Sequence, residues 1–256
     1  MTYRLYRDNK NIYTHRIGGS HPRGSHLGGR QPDKGTQQWL SVAKVAGKMN
    51  DQIYRVADLD HETKQFVVDL FQPREHIDRG MLMVNKIGLY SMTKRAEAEM
   101  VVRIIGTTVD LRESVLLDVT AGIGGFVVNM YDRFKHVYGY EINPTQFQIL
   151  THNCAVYGIQ NHTLYNEDYT VAINRETHPN LICVVDPPWG GLDYKKHKKL
   201  NLVLGQYTMD MLARMIRCRV LLLKLPANHD LDIFSEHQHK VHRVGNHIYV
   251  QITKDQ

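Results

Sequence analysis

The residues best suited to do chemistry stand together in Asp186-Pro187-Pro188-Trp189, directly after the apolar run 181–185. The Asp186 carboxylate can accept one hydrogen of an exocyclic amine, and the rigid Pro-Pro backbone can aim the Pro187 carbonyl at the other. Trp189 can stack on a base and hold it at attack distance. These residue types predict a site where an amine nitrogen of a planar ring attacks a methyl group. The structural alternative is a turn with a packing tryptophan.

A second set of residues could hold a nucleotide-type ligand. The sequence DVTAGIGG at 118–125 follows a predicted strand, and its glycines let the backbone approach a ligand closely. Glu141 ends the next predicted strand and can accept both hydroxyls of a ribose, while Asp168 follows the third and can accept from an adenine amino group. The spacing differs from GxGxxG, and no Lys-Ser/Thr follows, which disfavours a phosphate-binding loop. The set suits a dinucleotide or S-adenosylmethionine, and the Asp186 motif favours the latter.

Both sets require strands that end beside one another. Apolar runs predict strands at 115–119, 136–141, 164–165, 181–185 and 220–225, and residues 246–252 alternate as an edge or antiparallel strand would. Helices are predicted at 125–133, at 144–157 and at 93–105, the last with Thr93 as N-cap and an apolar stripe of Met100, Val101, Ile104 and Ile105. Strand–helix alternation predicts an α/β fold, a Rossmann-like sheet with helices on both faces. Modest helical spacing at 37–49 and a helical or mixed pattern at 58–72, ended by Pro73, predict a small helical element before it.

The positive charge is concentrated near the N-terminus. Residues 1–50 hold nine Lys/Arg and two Asp/Glu, whereas the remaining residues hold 23 and 24. Because residues 17–36 are rich in Gly, His, Ser, Pro and Arg, we expect residues 1–36 to be a flexible basic arm. The expected division is therefore the arm, a small helical accessory element at 37–85 and a catalytic domain at 86–256. A basic run at 195–199 is either a solvated surface or a phosphate contact through Lys195 and Lys196.

Composition excludes several classes of protein. Three widely spaced cysteines form no CxxC pattern, and the 15 histidines form no HExxH or paired zinc spacing, so neither a disulfide scaffold nor a metal site is expected. No apolar run approaches the ~18 residues that a membrane span needs, and the N-terminus lacks a secretory signal. We expect an intracellular protein without a membrane partner.

Five segments in a fixed order carry a family resemblance. They are Gly88-Leu-Tyr-Ser-Met-Thr93, the turn at 118–125, Asn153-Cys-Ala-Val-Tyr-Gly-Ile159, Asp186-Pro-Pro-Trp-Gly-Gly-Leu-Asp-Tyr194 and Leu225-Pro-Ala-Asn228. The chain resembles class I S-adenosylmethionine-dependent methyltransferases that modify exocyclic amines. More narrowly, residues 86–235 resemble the trimethylguanosine synthase family, the RNA cap guanine-N2 methyltransferases.

The resemblance implies a cofactor, a substrate and a site. S-adenosylmethionine would be held by residues of the glycine turn, the strand ends and the segment near residue 91, namely Ser91, Thr93, Asp118, Ala121, Gly122, Gly124, Gly125, Glu141, Ile142 and Asp168. Capped RNA would be the partner, with Asp186, Pro187, Pro188 and Trp189 as catalytic residues. Trp189 would stack on the 7-methylguanosine, and Tyr194, Lys195, Lys196 and Asn228 would bind the rest of the substrate. A cap enzyme would be nuclear, or cytoplasmic in a viral setting.

Three departures from the family pattern leave other functions open. Asp186 stands where the best-known members have Ser, Phe126 where Asn is frequent, and Ala227 where the family has Arg. One alternative is another amine methyltransferase, acting on guanine N2 elsewhere in RNA or on adenine N6. Another is a methyltransferase fold that binds RNA without catalysis. The sequence leaves the number of methyl groups and the oligomeric state undetermined.

Overall fold

The computed structural model describes residues 41–42, 44–245 and 247–254, with residues 192–193 by backbone alone, and the backbone of residues 3–7 and 12–16. The chain divides into two compact units, Met1–Pro32 and Asp33–Gln256. In the first unit, strands β1 (Tyr3–Arg7) and β2 (Ile12–Arg16) pair antiparallel, with Tyr3 opposite Arg16. This hairpin lies within the segment expected to be a flexible arm. The other residues of 1–36 lie outside the described part of the chain, so their assignment to a flexible basic arm stays a prediction.

The second unit is built on one seven-stranded sheet. In chain order its strands are β5 (Val115–Asp118), β6 (His136–Tyr140), β7 (His162–Tyr165), β8 (Leu181–Val185), β11 (Val220–Pro226), β12 (His239–Val244) and β13 (His247–Thr253). Two-stranded ladders join β3 (Tyr54–Arg55) to β4 (Met83–Val84) and β9 (Val203–Leu204) to β10 (Tyr207–Thr208). The sheet order is β12-β13-β11-β8-β5-β6-β7. All neighbours are parallel except β13, which pairs antiparallel with both β11 and β12.

Helices cover both faces of this sheet. They are α1 (His61–Val68), α2 (Lys86–Ser91), α3 (Arg95–Gly106), α4 (Gly125–Met130), α5 (Pro144–Val156) and α6 (Met209–Met215). Alternate residues of each strand face opposite sides, so Leu116 and Ile182 pack on the side of α3, α4 and α5, while Leu117 and Cys183 pack on the side of α6. A parallel strand buried on both faces is a continuous apolar run, which explains the residues of β8 and β11. The predicted α/β fold class is confirmed.

The segment before residue 86 shares the core of the sheet. Buried side chains of Val56, Val67 and Phe71 belong to the same apolar cluster as Leu116. Residues 44–47 are helical, and α1 ends at Val68, ahead of Pro73. The segment expected to be a small helical element thus also contains the short β3–β4 ladder.

Two sequence expectations about helix α3 are wrong in detail. Helix α3 begins at Arg95, and its N-cap is Lys94 without a side-chain cap, whereas Thr93 is buried. The buried positions of α3 are Ala98, Val101 and Ile105, because the helix turns Met100 outward. The C-terminal strand β13 is antiparallel to both of its neighbours, which is one of the two alternatives expected for residues 246–252. It is an interior strand and not an edge strand, since β12 covers its outer side.

The described residues contain no helix long and apolar enough to cross a bilayer. Cys154, Cys183 and Cys218 are buried free thiols.

Candidate active site

Three parallel strands end at one edge of the sheet and bring the predicted acids together. Asp118 closes β5, Glu141 follows β6, and Asp186 follows β8. Asp118 lies opposite Gly139 on one neighbour and Val184 on the other. Because carboxyl ends of parallel strands share an edge, residues far apart in sequence form one cleft rim.

The glycine turn after β5 is fastened to the acid after β6. The Gly122 N–H donates to Glu141 Oε2 at 2.8 Å, and the Asn143 N–H donates to Glu141 Oε1 at 2.7 Å. The Ala121 N–H donates to the Tyr140 carbonyl at 2.8 Å. Burial raises the pKa of Glu141, and the two backbone hydrogen bonds oppose that rise. The carboxylate is therefore oriented by the chain itself.

The start of α4 is packed closely under the segment that precedes α3. A Cβ on Gly125 would lie 2.4 Å from the Thr93 nitrogen and 2.8 Å from its carbonyl oxygen, so only glycine fits there. Gly124 has a φ of +100°, in the left-handed region. Ser91 is exposed, and its hydroxyl donates to the Ile87 carbonyl at 3.0 Å within α2. The structure thus brings Thr93 against the glycine turn, whereas the hydrogen bond of Ser91 lies within α2.

Asp118 is a buried carboxylate with an incomplete set of hydrogen bonds. Its side chain is 1% exposed, and Oδ1 accepts from the Thr120 N–H at 3.2 Å. Oδ2 has no partner among the described residues. Burial, together with the Asp186 and Glu141 charges, raises the pKa of Asp118 to about 7. A buried polar atom left open at a cleft rim suits a hydrogen-bond donor on a ligand.

The remaining predicted cofactor residues line the β6–β7 side. Ile142 is 64% exposed beside Glu141 and offers apolar surface to a planar group. Asp168 Oδ1 accepts from the Thr170 N–H at 2.8 Å and thereby begins a 3-10 turn. Asn166 Nδ2 donates to the Glu141 carbonyl at 2.7 Å, a contact that the sequence did not predict.

The reactive loop is tied to the glycine turn. The Asp186 N–H donates to Thr120 Oγ1 at 2.8 Å. Pro187 is buried and Pro188 is exposed. The half-buried Trp189 ring contacts Tyr194 edge-on at a centroid distance of 5.2 Å and His247 at 5.9 Å, and its Nε1 has no partner among the described residues. The loop therefore sets Asp186 directly beside the glycine turn, with the indole three residues further along the chain.

A buried ion cluster behind Asp186 was not predicted from the sequence. Lys224 Nζ lies 2.8 Å from Asp186 Oδ2 and 3.4 Å from Glu97 Oε1, and it donates to Thr93 Oγ1 at 3.2 Å. Burial opposes the charge of Lys224, but the two carboxylates raise its pKa above the ordinary value. Burial raises the pKa of Asp186, and the Lys224 charge counteracts this. The available signal was a lysine inside the apolar strand VLLLKLP, because a buried charge requires a partner.

The predicted substrate residues divide into two groups. Lys195 lies over the Tyr194 ring at 5.6 Å, and Lys195 and Lys196 are exposed beside the loop. Asn228 Nδ2 donates to the Tyr194 and His197 carbonyls, both at 2.8 Å, so this residue fastens the loop. Lys199, at the end of the basic run, is paired with Asp230 and Asp232. The part of the chain that the structure describes has no group of three His, Cys, Asp or Glu side chains arranged for a metal ion.

Comparison with known proteins gives one family match and several similar folds. A family model described as RNA cap guanine-N2 methyltransferase matches residues 113–256. An uncharacterized protein of Acanthamoeba polyphaga mimivirus is 31% identical over an alignment of 129 residues, and the match covers 48% of this chain and 50% of that protein. The chain thus spans about half the length of that curated relative.

Solved structures with a similar fold include two RNA methyltransferases. One is the 16S rRNA N2 methyltransferase RsmC of T. thermophilus in complex with AdoMet and guanosine, with a TM-score of 0.49, 17% identity and coverage of 67% of this chain and 44% of that one. The other is an rRNA methylase of Streptococcus thermophilus, with a TM-score of 0.45, 13% identity and coverage of 61% and 95%. The family match, by contrast, includes the glycine turn, the Asp186 loop and Lys224.

Proposed function

Because this chain belongs to the RNA cap guanine-N2 methyltransferase family, we propose that it methylates the exocyclic N2 amine of a 7-methylguanosine RNA cap. The chain is an S-adenosylmethionine-dependent methyltransferase with a Rossmann-like fold. We propose the cap as the acceptor and a role for each residue of the site. An enzyme with that substrate would be nuclear, or cytoplasmic in a viral setting.

The residues at the carboxyl edge fit S-adenosylmethionine. No atom lies within 4 Å of the place where a Cβ of Gly122 would stand, so the turn is open on that side. The unpartnered Asp118 Oδ2 and the oriented Glu141 carboxylate can accept hydrogen bonds from the cofactor, Glu141 from its ribose hydroxyls. When bound, the cofactor supplies an electrophilic methyl group on its sulfonium.

The chain's own residues would align the acceptor amine. The amine lone pair is delocalised into the guanine ring, so the nitrogen must be drawn toward tetrahedral geometry before it can attack. Asp186 would accept one amine hydrogen and the Pro187 carbonyl the other, which holds the lone pair toward the cofactor. As the nitrogen–methyl bond forms and the sulfur–methyl bond breaks, S-adenosylhomocysteine would leave, and the amine hydrogen held by Asp186 would pass to that carboxylate as a proton. The hydrogen bond from the Asp186 N–H to Thr120, at 2.8 Å, is the observation that carries this proposal, because it joins the acceptor loop to the cofactor turn.

Trp189 would hold the base. Its ring is steeply inclined to those of Tyr194 and His247, at centroid distances of 5.2 and 5.9 Å, and these contacts would hold the indole in place for stacking on a purine. A 7-methylguanine carries a positive charge, and the indole face attracts a cation more strongly than a neutral ring. Lys195 and Lys196 would contact the phosphates that follow the base.

A methyl-transfer assay tests the proposal. Radiolabelled S-adenosylmethionine is supplied with 7-methylguanosine-capped RNA, with the same RNA bearing a 5′ triphosphate, and with free 7-methylguanosine nucleotide as competitor. Nucleoside analysis of the product should place the label on guanine N2. The variants D186A and W189A should lose most of the transfer, whereas D51A, at an exposed acid far from the loop in sequence, should keep it.

Each outcome separates the alternatives. Equal transfer to capped and uncapped RNA would exclude the cap and leave an enzyme for another guanine or adenine amine. Retained RNA binding without any binding of S-adenosylhomocysteine would favour a non-catalytic RNA-binding subunit.

A further inference from the structure

One buried cation stands directly behind the reactive loop. Lys224 is the charged residue of the otherwise apolar strand β11, and its side chain is 6% exposed. Its Nζ contacts Asp186 Oδ2 at 2.8 Å and Glu97 Oε1 at 3.4 Å, and it donates to Thr93 Oγ1 at 3.2 Å. The ammonium group therefore links the loop after β8 with helix α3.

The cluster is held from its far side by strand β13. His247 Nε2 and Glu97 Oε1 are 2.6 Å apart, and the Tyr249 hydroxyl donates to the same oxygen. Burial opposes ionisation of Glu97, but Lys224 and these two hydrogen bonds hold its pKa well below the ordinary value. Glu97 is thus a fixed anion that keeps Lys224 in place.

Stability alone does not account for such a cluster. Replacing a buried ion pair by well-packed apolar residues is often neutral or stabilising. Asp186 is the member of the cluster that belongs to the reactive loop, and its side chain is 17% exposed. The partner of Lys224 that can reach a substrate is therefore Asp186.

We propose, building on the function proposed above, that Lys224 is a positioning residue for the acceptor amine. Its ion pair with Oδ2 keeps Asp186 ionised and fixes the plane of that carboxylate, so that Oδ1 accepts a hydrogen of the amine. A lysine in this strand thereby lets an aspartate occupy the first position of the Pro-Pro loop.

The charges around Asp186 give the expected pH dependence. The groups that face it from neighbouring elements are Asp118 at the end of β5, Glu97 on α3, Lys224 on β11, and His247 and Tyr249 on β13. Without the Lys224 charge, Asp186 stands near the carboxylates of Asp118 and Glu97 in a buried place. Loss of the Lys224 charge raises the pKa of Asp186 further, and a protonated carboxyl oxygen no longer accepts from the amine.

The test compares kcat as a function of pH for the wild type, K224M and K224R on whichever RNA the wild type methylates. In K224M the acidic limb of the profile should move up by about one pH unit or more, and kcat at pH 7 should fall roughly 10- to 100-fold. The Kd for S-adenosylhomocysteine should stay within about threefold, since the cofactor contacts are unchanged. K224R, which keeps the charge, should keep the limb, and K135M is the control at an exposed lysine before β6.

A double variant covers the case in which K224M fails to fold. E97Q/K224M removes one charge of each sign, so the net charge of the cluster is unchanged. Asp186 is then the group that has lost its cation partner. The ¹³C signal of the Asp186 carboxyl, assigned by its loss in D186S, should then titrate at higher pH than in the wild type. This readout needs no turnover.

Two results would overturn the proposal: loss of activity in K224M by the same factor at every pH, or an unchanged Asp186 titration in the double variant. Failure of the cap assignment alone would leave both readouts in place, because the acceptor is chosen by what the wild type methylates.

Discussion

The two acids proposed to hold the cofactor differ in how many of their hydrogen bonds the chain itself supplies. Glu141 already accepts from the Gly122 and Asn143 N–H groups, so its carboxylate has a fixed orientation. Asp118 is more deeply buried, and one of its oxygens has no partner among the described residues. Glu141 is therefore already oriented for a ligand, whereas Asp118 Oδ2 would gain a hydrogen-bond partner only when a ligand binds.

Removing the Glu141 carboxylate should weaken cofactor binding. Hydrogen bonds to a charged group contribute about 1.5–3 kcal/mol, so E141A should raise the Kd for S-adenosylhomocysteine by roughly 10- to 100-fold in calorimetry. The matched control is E167A, because Glu167 is an exposed acid that pairs with Arg175. Equal affinity of the two variants would contradict a ribose contact by Glu141.

Asp118 should make the stability of the cofactor-free protein depend on pH. Its pKa is about 7 when folded against an ordinary 3.8, so the folded state holds the proton more tightly. Stability should therefore be highest below the ordinary value and should fall as pH rises toward 7, by about 3 kcal/mol between pH 5 and pH 8. Urea unfolding at several pH values should show this slope in the wild type and a flatter one in D118N. Parallel slopes would show that Asp118 is not the titrating group.

The sequence predicts three acids of the candidate site because each of them stands at the end of a strand or directly after it. Asp118, Glu141 and Asp186 each come directly after an apolar run, and parallel strands bring such positions to one edge. The pairing of Lys224 with Glu97 could not be predicted, because it depends on how α3 packs across the sheet. Asn228 was expected at the substrate, but the loop conformation gives its amide two carbonyl partners.

At the level of elements, helix α4 packs against the segment before α3 at Gly125, where there is no side chain to keep the two apart. G125A would place a methyl group 2.4 Å from the Thr93 nitrogen, which can move only with the backbone of its segment. We expect the free energy of unfolding to fall by about 1–3 kcal/mol, as in other overpacked sites, together with a loss of affinity for S-adenosylhomocysteine. G47A is the control, because a Cβ there meets no atom within 4 Å. Unchanged cofactor affinity in a destabilised G125A would separate this segment from the cofactor site.

The fully buried strands could be predicted from the sequence, whereas the exposed edge strand could not. The parallel strands β5, β8 and β11 are buried along their whole length, so their sequences are uninterrupted apolar runs apart from Asp118 and Lys224. Strand β12, with the sequence HKVHRV, lies at the edge and is mostly exposed, so its polar residues gave no strand signal. Because β12 is not evident from the sequence, the alternation in β13 is equally compatible with an edge strand.

At the level of the whole molecule, charge and chemistry are separated along the chain. Residues 1–36 hold seven Lys/Arg and two Asp, whereas the rest of the chain is nearly balanced. Within the second unit, Lys224 is paired with Glu97 and Asp186, and Lys199 with Asp230 and Asp232. Because the charges after residue 36 nearly cancel in number, the N-terminal segment is the main concentration of net positive charge.

Deleting residues 1–36 should therefore weaken RNA binding and leave cofactor binding intact. Each phosphate neutralised by a basic side chain contributes about 0.7 to the slope of log K against log salt for single strands, so the slope should fall by that amount for every phosphate that the segment neutralises. Fluorescence anisotropy with capped RNA at several salt concentrations measures the slope, and calorimetry with S-adenosylhomocysteine measures the cofactor. A full-length variant with the seven Lys/Arg of the segment changed to Gln should reproduce the deletion if charge is the cause. Loss of cofactor binding in the deletion alone would instead make the segment a structural part of the site, and the separation of charge from chemistry would not hold.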